Sequence, residues 1–421
     1  MPFIKRQILP EILAHLSSKE ITLITGARQV GKTTLMKEIQ RLQEKNHQKT
    51  LYLNLDFDSD FSYFESQEKF LQKLRLELGA QPGYIFLDEI QRKENAGLFL
   101  KGLYDRDLPY KFIVSGSGSM ELKEKIHESL TGRKRVFELS TITFREFINY
   151  RTENRYEDCL QDFFGLEHDR TENLLNEYLS YGGYPRIVIE PLEREKLHLI
   201  NEIYNSYLRK DIAYLLKLDR PELFTKLVQL LAHNTGKILN YSTLSSDVGI
   251  SIPTLKKYLW YAENTFIIKQ IIPFFGNKRK EIRKSPVPYF CDIGLRNFAL
   301  NEFGQKYSKA HSGYLFQNFI FKILEEINLL LFAQLKFWRT TDQAEVDFVV
   351  QTGKEVIPIE VKFSHLKKGS MSRSFRSFIE AYQPEKAYIV NLSHSTEIAI
   401  DKTKVRIIPF YRLFDESFIY K

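Results

Sequence analysis

Nine consecutive residues have the types and spacing needed to hold a chain of phosphates. They are Gly26, Ala27, Arg28, Gln29, Val30, Gly31, Lys32, Thr33 and Thr34, which match the pattern G-x-x-x-x-G-K-S/T. The glycines let backbone N–H groups turn toward an anion, and the positive end of the following helix dipole adds to the attraction. Lys32 is expected to reach the terminal phosphates of ATP, and the Thr33 hydroxyl is expected to bind Mg²⁺. The sequence therefore predicts a nucleoside-triphosphate site.

The surrounding pattern predicts the elements that position this loop. Ile21–Ile24 indicates a buried strand before the loop, and Thr34–Glu44 indicates a helix after it. Further predicted elements alternate in the same way: strands at Thr50–Asp56, Tyr84–Glu89, Tyr110–Ser115 and Val136–Leu139, with an amphipathic helix at Ser62–Leu78. Such alternation predicts a parallel sheet covered by helices, with ligands at the carboxyl ends of the strands.

Two acidic residues end the third predicted strand, where a metal ion and an attacking water molecule would lie. Asp88 is suited to holding Mg²⁺, and Glu89 to polarising the water that attacks the terminal phosphate. An acidic strand end is common by itself, but its combination with the phosphate loop favours catalytic roles for both residues.

Two further positions carry weaker signals. Ser117 follows the fourth strand and could sense the terminal phosphate, or it could be an ordinary turn serine. Arg133, in the segment Thr131–Arg135, could stabilise transition-state charge in the site of a neighbouring subunit. The alternative for Arg133 is a solvated basic turn.

Several of these segments resemble a widespread prokaryotic branch of the AAA+ ATPases. The resemblance rests on GARQVGKTT, YIFLDE, SGSGS and LTGRKRVFELSTITFREF, and it continues through Gly182–Pro185 and Tyr207–Ile212 to the far end of the chain. It implies an additional-strand sheet, ATP hydrolysis and Arg133 as the trans-acting arginine. Members of this branch usually carry a poorly characterised C-terminal region.

The middle of the chain divides into two predicted regions. Residues 151–218 show helical patterns, including a long one at Glu193–Leu216, and are expected to form a lid-like region over the nucleotide. Residues 219–300 have the pattern of a winged helix-turn-helix, whose candidate recognition helix Ile252–Glu263 offers Thr254, Lys256 and Lys257 to DNA. Lys278, Arg279 and Lys280 lie in a basic segment between two predicted wing strands, Phe266–Phe274 and Pro288–Phe290, and could contact the phosphate backbone. The alternative is a winged helix that docks proteins.

The C-terminal region, residues 301–421, contains a second set of residues suited to chemistry. Asp347 lies in a predicted strand, and Glu360 and Lys362 share one face of the next because side chains alternate along a strand. Two carboxylates can bind a metal ion, and a lysine beside them can steady a hydroxide or a phosphate. The arrangement resembles the D…E-x-K core of restriction-endonuclease-like domains. Gln317 stands where this resemblance predicts glutamate, so a second metal ion would lack a charged ligand and DNA cleavage is left open.

Composition sets limits on these interpretations. The 421 residues contain 43% hydrophobic and 27% charged residues, which describes a globular protein of several domains. No apolar run is long enough for a membrane span, no signal peptide is evident, and Cys159 and Cys291 form no ligand pattern, so a reduced cytoplasmic setting is expected. The net charge of +8 is weak evidence for a polyanionic partner.

Together these features predict an α/β protein with four parts. A P-loop AAA+ core over 1–150 is followed by the helical lid, the winged helix-turn-helix and a restriction-endonuclease-like α/β domain. The expected function is ATP hydrolysis with Mg²⁺ in DNA processing, by a homo-oligomer for which a hexamer is one option. Two alternatives stay open: an ATP-switched DNA-binding regulator with an inactive nuclease fold, and a signalling or scaffold ATPase that binds proteins.

Overall fold

The first part of the chain alternates between strands and helices. The computed structural model describes residues 3–116, 130–206, 220–275, 285–305, 312–331, 333–340, 342–353, 355–366 and 371–415. Its first elements are α1 (Leu9–His15), β1 (Ile21–Thr25), α2 (Lys32–Lys45), β2 (Lys49–Asn54), α3 (Asp58–Phe61), α4 (Gln67–Leu78), β3 (Gly83–Asp88), α5 (Ala96–Tyr104), β4 (Tyr110–Ser115) and β5 (Lys134–Glu138). The five strands form a parallel sheet in the order β2-β3-β4-β1-β5, which confirms the predicted parallel sheet.

The centre of this sheet is the strand that leads into the phosphate loop. All five residues of β1 are buried between β4 and β5. Its side chains alternate: Ile24 packs in the cluster that contains Met36 of α2, whereas Leu23 packs in the cluster that contains Leu74 of α4. Because helices cover both faces of β1, the loop that follows Thr25 starts from a fixed point.

The predicted first residue of one helix in this part was wrong. The predicted helix Ser62–Leu78 is divided into a 3₁₀ turn at Ser62–Phe64 and α4, which begins at Gln67. The reason is Ser66, whose side chain accepts a hydrogen bond from the Lys69 N–H at 3.1 Å and thereby caps a new helix. The predicted strand Tyr110–Ser115 has the observed bounds, and the other predicted strands differ from the observed ones by one to two residues at one or both ends.

The next region is helical and bends back over the loop. It contains α6 (Phe144–Arg151), α7 (Leu160–Leu166), α8 (His168–Tyr181), α9 (Pro185–Ile189) and α10 (Glu193–Tyr204). The predicted helix Glu193–Leu216 is described only up to Ser206, because residues 207–219 lie outside the described ranges. A Cβ atom on Gly183 would lie 2.3 Å from the Ile142 carbonyl oxygen, so only glycine permits this close turn. The turn brings Pro185 to the phosphate loop, where its Cγ lies 3.9 Å from the Cβ position of Gly31.

Three helices, a pair of strands and a further helix follow. They are α11 (Pro221–His233), α12 (Tyr241–Val248), α13 (Ile252–Asn264), β6 (Ile268–Ile271), β7 (Val287–Phe290) and α14 (Ile293–Ala299). Asn240 and Ser251 cap α12 and α13 through their side chains, so the short turn between these helices is fixed at both ends. Strands β6 and β7 pair antiparallel, and the segment between them that carries Lys278, Arg279 and Lys280 lies outside the described residues.

The C-terminal domain is a mixed sheet between two helices. It contains α15 (Ser312–Leu331), β8 (Gln334–Arg339), β9 (Glu345–Thr352), β10 (Glu355–Val361), α16 (Arg373–Tyr382), β11 (Lys386–Asn391), β12 (Thr396–Ile400) and β13 (Thr403–Pro409). The strand order is β12-β13-β11-β10-β9-β8. Phe348 and Ile359 pack in the cluster that contains Phe319 of α15, and Val349 packs in the cluster that contains Phe378 of α16. The two strands predicted around Asp347 and Glu360 are therefore present as β9 and β10.

Candidate functional site

The phosphate loop is held in shape by close backbone contacts. Gly26 has a φ of +151°, and a Cβ atom there would lie 2.2 Å from the carbonyl oxygen of Leu139. Gly31 has a φ of +98° and directly precedes α2. The loop therefore requires glycine at both positions, and the amino end of a 14-residue helix points into it.

The lysine of the loop is buried and bonded to the loop itself. The Lys32 ammonium donates to the carbonyl oxygens of Ala27 at 2.8 Å and Gly26 at 3.2 Å. Burial lowers the pKa of Lys32 to about 8, although the Glu89 and Asp88 carboxylates oppose that change. A buried cation that, among the described residues, bonds two carbonyl oxygens is suited to attract a phosphate oxygen.

The carboxylate of Asp88 receives hydrogen bonds from three hydroxyl groups. Thr33 Oγ1 and the Tyr52 hydroxyl each donate to Asp88 Oδ2 at 2.7 Å, and the Ser115 hydroxyl donates to Oδ1. Asp88 is fully buried. The pKa of Tyr52 is raised above its ordinary value, mainly because Tyr52 is partly removed from water and also because the Asp88 charge lies beside it. The strand end thus brings the loop hydroxyl and an anionic carboxylate together, as the sequence predicts.

Glu89 follows in an uncommon backbone conformation. Its φ is +56°, in the left-handed region that costs a non-glycine residue free energy. Its carboxylate accepts a hydrogen bond from the Gln91 side-chain amide. The conformation turns Glu89 away from the line of β3 and into the wall of the cleft that also contains Lys32.

A cleft of about 590 Å³ lies over the loop. One group of its lining residues is apolar: Phe3, Ile4, Ile142, Pro185 and Ile189. A second group is cationic: Arg28, Arg92, Arg186 and Lys32. An apolar wall beside a cluster of cations suits a ligand with a flat base at one end and phosphates at the other.

Sequence reasoning missed four residues of this site. Arg6 is buried, forms an ion pair with Glu146 at 3.0 Å and donates to the Val30 carbonyl oxygen at 2.9 Å, so it holds the back of the loop. Tyr52 and Ser115 bond Asp88, and Arg186 lines the cleft. Tyr52 and Ser115 lie toward the carboxyl ends of β2 and β4, where ligands of a parallel sheet bind, so their positions could have identified them. Arg186 follows the glycine turn, but Arg6 carries no signal because its partner is 140 residues away.

Arg133 lies at the amino ends of the strands, whereas the phosphate loop lies at their carboxyl ends. Its carbonyl oxygen accepts a hydrogen bond from the N–H of Ile21, at the start of β1, whereas the loop follows the end of that strand. The guanidinium forms an ion pair with Asp105 at 2.8 Å on the surface. Its role toward a neighbouring subunit stays a prediction, and Ser117 lies outside the described residues.

The predicted DNA-contacting residues of α13 lie on its outer side. Lys256 and Lys257 are exposed, and Thr254 is half-buried with its hydroxyl 2.9 Å from that of Ser251. The helix buries Leu255 and Leu259 on its other side. Two cations are therefore accessible on this helix, and their role stays a prediction.

The C-terminal residues predicted from the sequence lie close together in a partly buried cluster, here named the C-terminal pocket. Asp347 accepts hydrogen bonds from the Gln317 side-chain amide at 3.0 Å and from the Val361 N–H at 2.7 Å. Lys362 Nζ lies 2.8 Å from Glu360 Oε1, and Glu360 is buried. Gln317 therefore fills a position beside Asp347, as its place in the helix suggests.

Burial changes the protonation of this pocket. Burial raises the pKa of Asp347 to about 7, and the Glu360 and Glu345 charges add to the rise, while the Val361 N–H opposes it. Within the described ranges no group of three His, Cys, Asp or Glu side chains forms a metal-ligand set. The pocket thus offers two acidic ligands and a neutral amide, and metal binding stays a prediction.

Fold and site together define a P-loop nucleotide-binding protein with an AAA-type core. Residues 18–148 match the family model described as AAA domain. Residues 172–306 and 312–413 match two models that are each described as a domain of unknown function. The AAA-domain match contains the phosphate loop, Asp88, Glu89 and Arg133.

Similar proteins occur in bacteria and archaea. An uncharacterized protein of Haemophilus influenzae is 25% identical, with 85% of this chain and 86% of the relative covered. One of Mycobacterium tuberculosis is 26% identical, with 92% and 79% covered, and one of Methanocaldococcus jannaschii is 24% identical, with 96% and 90% covered.

Two solved structures of replication proteins show a weak similarity. The replication initiator DnaA bound to AMPPCP and single-stranded DNA is 16% identical over 62% of this chain and 90% of that chain, with a TM-score of 0.31. Cdc6p from Pyrobaculum aerophilum is 12% identical over 66% of this chain and 90% of that chain, with a TM-score of 0.27. TM-scores this low do not establish a common overall fold.

None of the helices in the described ranges combines the length and the apolar character needed to cross a membrane.

Proposed function

We propose that this chain is an ATP-hydrolysing, DNA-binding AAA+ protein that works as a homo-oligomer and carries a metal site in its C-terminal domain. The observation that best supports hydrolysis is the hydrogen bond of 2.7 Å from the Thr33 hydroxyl to Asp88, with Glu89 next in the chain. It joins the end of the phosphate loop to the acidic end of β3.

Each residue of this site has a task that follows from its contacts. Lys32 would exchange the carbonyl oxygens of Ala27 and Gly26 for phosphate oxygens of ATP. Thr33 and Asp88 fit Mg²⁺, because hydroxyl and carboxylate oxygens are the hard ligands that this ion prefers. When bound, Mg²⁺ neutralises charge on the phosphates. Glu89 would accept a hydrogen bond from the attacking water and orient it.

The experiment that tests this proposal compares nucleotide binding and phosphate release in two variants. Lys32→Ala is expected to lose both, because the buried ammonium is the cation closest to the loop carbonyls. Lys37→Ala removes an exposed lysine of the same helix and is expected to retain both. Turnover by Lys32→Ala at the wild-type rate would contradict the proposed site.

The location of Arg133 supports an assembly in which it serves a neighbouring site. It is remote from its own phosphate loop and half-buried at the surface, and its ion pair with Asp105 is solvent-exposed. Mixing Arg133→Ala with Lys32→Ala subunits is expected to restore part of the ATPase activity, since an intact site can form at a mixed interface. The absence of rescue, with a monomer at all concentrations in ATP, would contradict this assembly.

DNA binding is supported by the helices, by the strand pair β6–β7 and by charge. α12 and α13 with β6 and β7 have the order of a winged helix-turn-helix, and Lys256 and Lys257 are exposed on α13. The double variant Lys256→Ala, Lys257→Ala should have a smaller slope of log DNA affinity against log salt concentration. The slope should fall by about one for each lysine that contacts a phosphate. The charge-matched control Lys402→Ala with Lys404→Ala changes two exposed lysines of β13 and its turn. Equal, salt-insensitive binding by all three proteins would favour a scaffold that binds proteins.

The C-terminal pocket supports a metal site that acts on DNA phosphodiesters. Asp347 and Glu360 supply the carboxylates that would hold a divalent ion, and Lys362 supplies a cation beside them. The hydrogen bond of 3.0 Å from Gln317 to Asp347 favours a second candidate, a DNA-binding regulator with an inactive nuclease fold. Assays on duplex, single-stranded and branched DNA with Mg²⁺ or Mn²⁺ separate the two, because only the first predicts cleavage that is lost in Asp347→Asn.

A further inference from the structure

The strand β7 is attached to α15 beside the carboxylate pocket. The Asn318 side chain accepts from the Phe290 N–H at 2.8 Å and donates to the Phe290 carbonyl oxygen at 3.0 Å. One turn further along the helix, Lys322 donates to the Cys291 carbonyl oxygen at 2.6 Å. Asn318 is fully buried and adjacent to Gln317 in the chain. These bonds fix the end of β7 to the same turn of α15 that faces Asp347.

Tyr289 of β7 places a hydroxyl group in this buried region. Its ring stacks on Phe321 with 4.5 Å between centroids and packs against Phe348 with 5.4 Å between centroids. The side chain has no exposed surface, and its hydroxyl has no hydrogen-bond partner among the residues that the structure describes. A buried hydroxyl without a partner costs free energy that phenylalanine would avoid at the same position.

The surroundings of that hydroxyl are acidic. The pKa of Tyr289 is raised mainly by burial, and the charges of Asp347 and Glu345 raise it further. A phenol that remains protonated beside carboxylates can donate a hydrogen bond and does not add charge to the pocket. Phe348, which packs against the Tyr289 ring, directly follows Asp347 in β9, so ring packing as well as charge associates Tyr289 with that carboxylate.

A loop of the same region closes around Gln317. A Cβ atom on Gly236 would lie 2.8 Å from Gln317 Oε1, and the Gly236 N–H donates to the Pro288 carbonyl oxygen at 3.0 Å. Lys237 Nζ lies 5.0 Å from the centre of the Tyr314 ring. The φ of Gly236 is +75°, so glycine suits this position in conformation as well as in space. Residues 236–237 and β7 therefore pack, from outside the C-terminal domain, against the part of α15 that bonds Asp347.

We propose that Tyr289 is a positioning residue of the Asp347–Glu360 metal site, whose hydroxyl donates a hydrogen bond to a water molecule or other oxygen ligand of the bound ion. This proposal rests on the proposed metal binding. It makes the site a composite of two regions: the carboxylates come from β9 and β10, and the hydrogen-bond donor comes from β7. The unpartnered, fully buried hydroxyl carries the proposal, and the packing of β7 on α15 fixes its location.

The test is a calorimetric titration of the full chain with Mn²⁺, using wild type, Tyr289→Phe, Tyr388→Phe and Asp347→Asn. Tyr289→Phe keeps both ring contacts and is expected to weaken Mn²⁺ binding by about 10–100-fold, the usual effect of removing a hydrogen bond around a metal ligand. Its melting temperature should equal or exceed that of wild type, because it loses only a hydroxyl without a partner.

Tyr388→Phe is the matched control. Tyr388 is a buried tyrosine of β11 that pairs in register with Ile359, so its side chain lies on the face of the sheet opposite to Glu360, with Arg406, Glu355 and Glu397 around it. Its Mn²⁺ affinity is expected to equal that of wild type. Equal affinities of wild type and Tyr289→Phe would overturn the role of Tyr289 alone. Wild type that binds no more Mn²⁺ than Asp347→Asn would overturn the metal site, and the role of Tyr289 with it.

Discussion

The phosphate-loop pocket and the C-terminal pocket each contain an aspartate near one end of a strand, and the two carboxylates have different hydrogen-bond donors. Asp88 accepts hydrogen bonds from the hydroxyl groups of Thr33, Tyr52 and Ser115. Asp347 accepts from the Gln317 amide at 3.0 Å and the Val361 N–H at 2.7 Å. The first carboxylate accepts from three hydroxyl groups and from the Glu89 N–H at 3.2 Å, whereas the second accepts from a side-chain amide and a backbone N–H.

This difference matters for metal binding. A hydroxyl oxygen can donate to a carboxylate and can also turn a lone pair toward an ion, so Thr33 can become a ligand by rotating one bond. An amide N–H has no lone pair to offer, and Gln317 would have to present its oxygen instead. That oxygen lies against Gly236. We therefore expect the first pocket to accept Mg²⁺ together with ATP, and the second to bind an ion more weakly.

The largest expected effect is the loss of metal binding at one pocket while the activity of the other is kept. Asp347→Asn combined with Glu360→Gln should abolish Mn²⁺ binding at the C-terminal pocket, because both anionic ligands are lost while the shape is kept. ATP turnover of this variant should stay within about twofold of wild type, since distant independent sites usually contribute additively. Calorimetry with Mn²⁺ and a phosphate-release assay measure the two quantities. A parallel loss of ATPase activity would show that the pockets do not act separately.

The next largest effect concerns the support of the phosphate loop. Arg6 and Glu146 form a buried ion pair with 5% and 3% of their side chains exposed. Arg6→Met should lower the free energy of unfolding by about 3–5 kcal/mol, because it leaves a buried carboxylate without its cation. Thermal and urea unfolding measure this change.

The neighbouring Lys5 provides the control for Arg6. Its ion pair with Glu157 at 2.5 Å is solvent-exposed, so Lys5→Met should change stability by only about 0–1 kcal/mol. Equal effects of the two substitutions would contradict the view that Arg6 is the internal support of the loop.

A smaller effect should follow from making the second pocket more like the first. Gln317→Glu places a third carboxylate beside Asp347 and should strengthen Mn²⁺ binding by about tenfold or more, since charged oxygen ligands raise affinity for divalent ions. Gln334→Glu adds the same charge at an exposed position of β8 and serves as the control. If Gln317→Glu binds Mn²⁺ no better than Gln334→Glu, the amide is not what limits the second pocket.

A pH-dependent effect is expected at the helix that connects the two regions. On α15, Glu325 bonds Lys269, which lies 3.0 Å from Glu138 at the end of β5. The next residue, Glu326, is half-buried, and removal of its carboxyl group from water raises its pKa to about 8. The folded chain therefore keeps this proton up to about pH 8, whereas the unfolded chain releases it near pH 4.5.

Because the folded state then binds more protons, the contribution of Glu326 to stability is present below pH 4.5 and declines up to about pH 8. Glu326→Gln should remove this decline, so its advantage over wild type should grow with pH. Urea unfolding at several pH values measures it. An advantage that stays constant from pH 5 to about pH 8 would contradict a Glu326 that stays protonated in the folded chain.

Sequence reasoning identified the first pocket more completely than the second because of how their residues are distributed. The phosphate loop is contiguous, and Asp88 and Glu89 end a strand, so residue order alone implies their proximity. Arg6 and Tyr289 could not be identified in this way. Each acts through partners more than 20 residues away, and neither residue type at its position indicates such a role.

Partial successes have equally local causes. Asp347, Glu360 and Lys362 were found because strand alternation fixes which side chains share a face. The sequence could not show that the Gln317 amide would bond Asp347, since α15 and β9 meet only in the folded domain. Helix starts were missed where a single side chain, such as Ser66, caps a new helix.

The most direct test of the account is ATP turnover by Glu89→Gln, measured as phosphate release alongside binding of a fluorescent ATP analogue. Removing the carboxylate that orients the attacking water should lower the turnover rate by about 10²–10⁴-fold. Nucleotide affinity should stay close to that of wild type, because Lys32, Thr33 and Asp88 are unchanged. Turnover at the wild-type rate, with the nucleotide still bound, would contradict hydrolysis at this site.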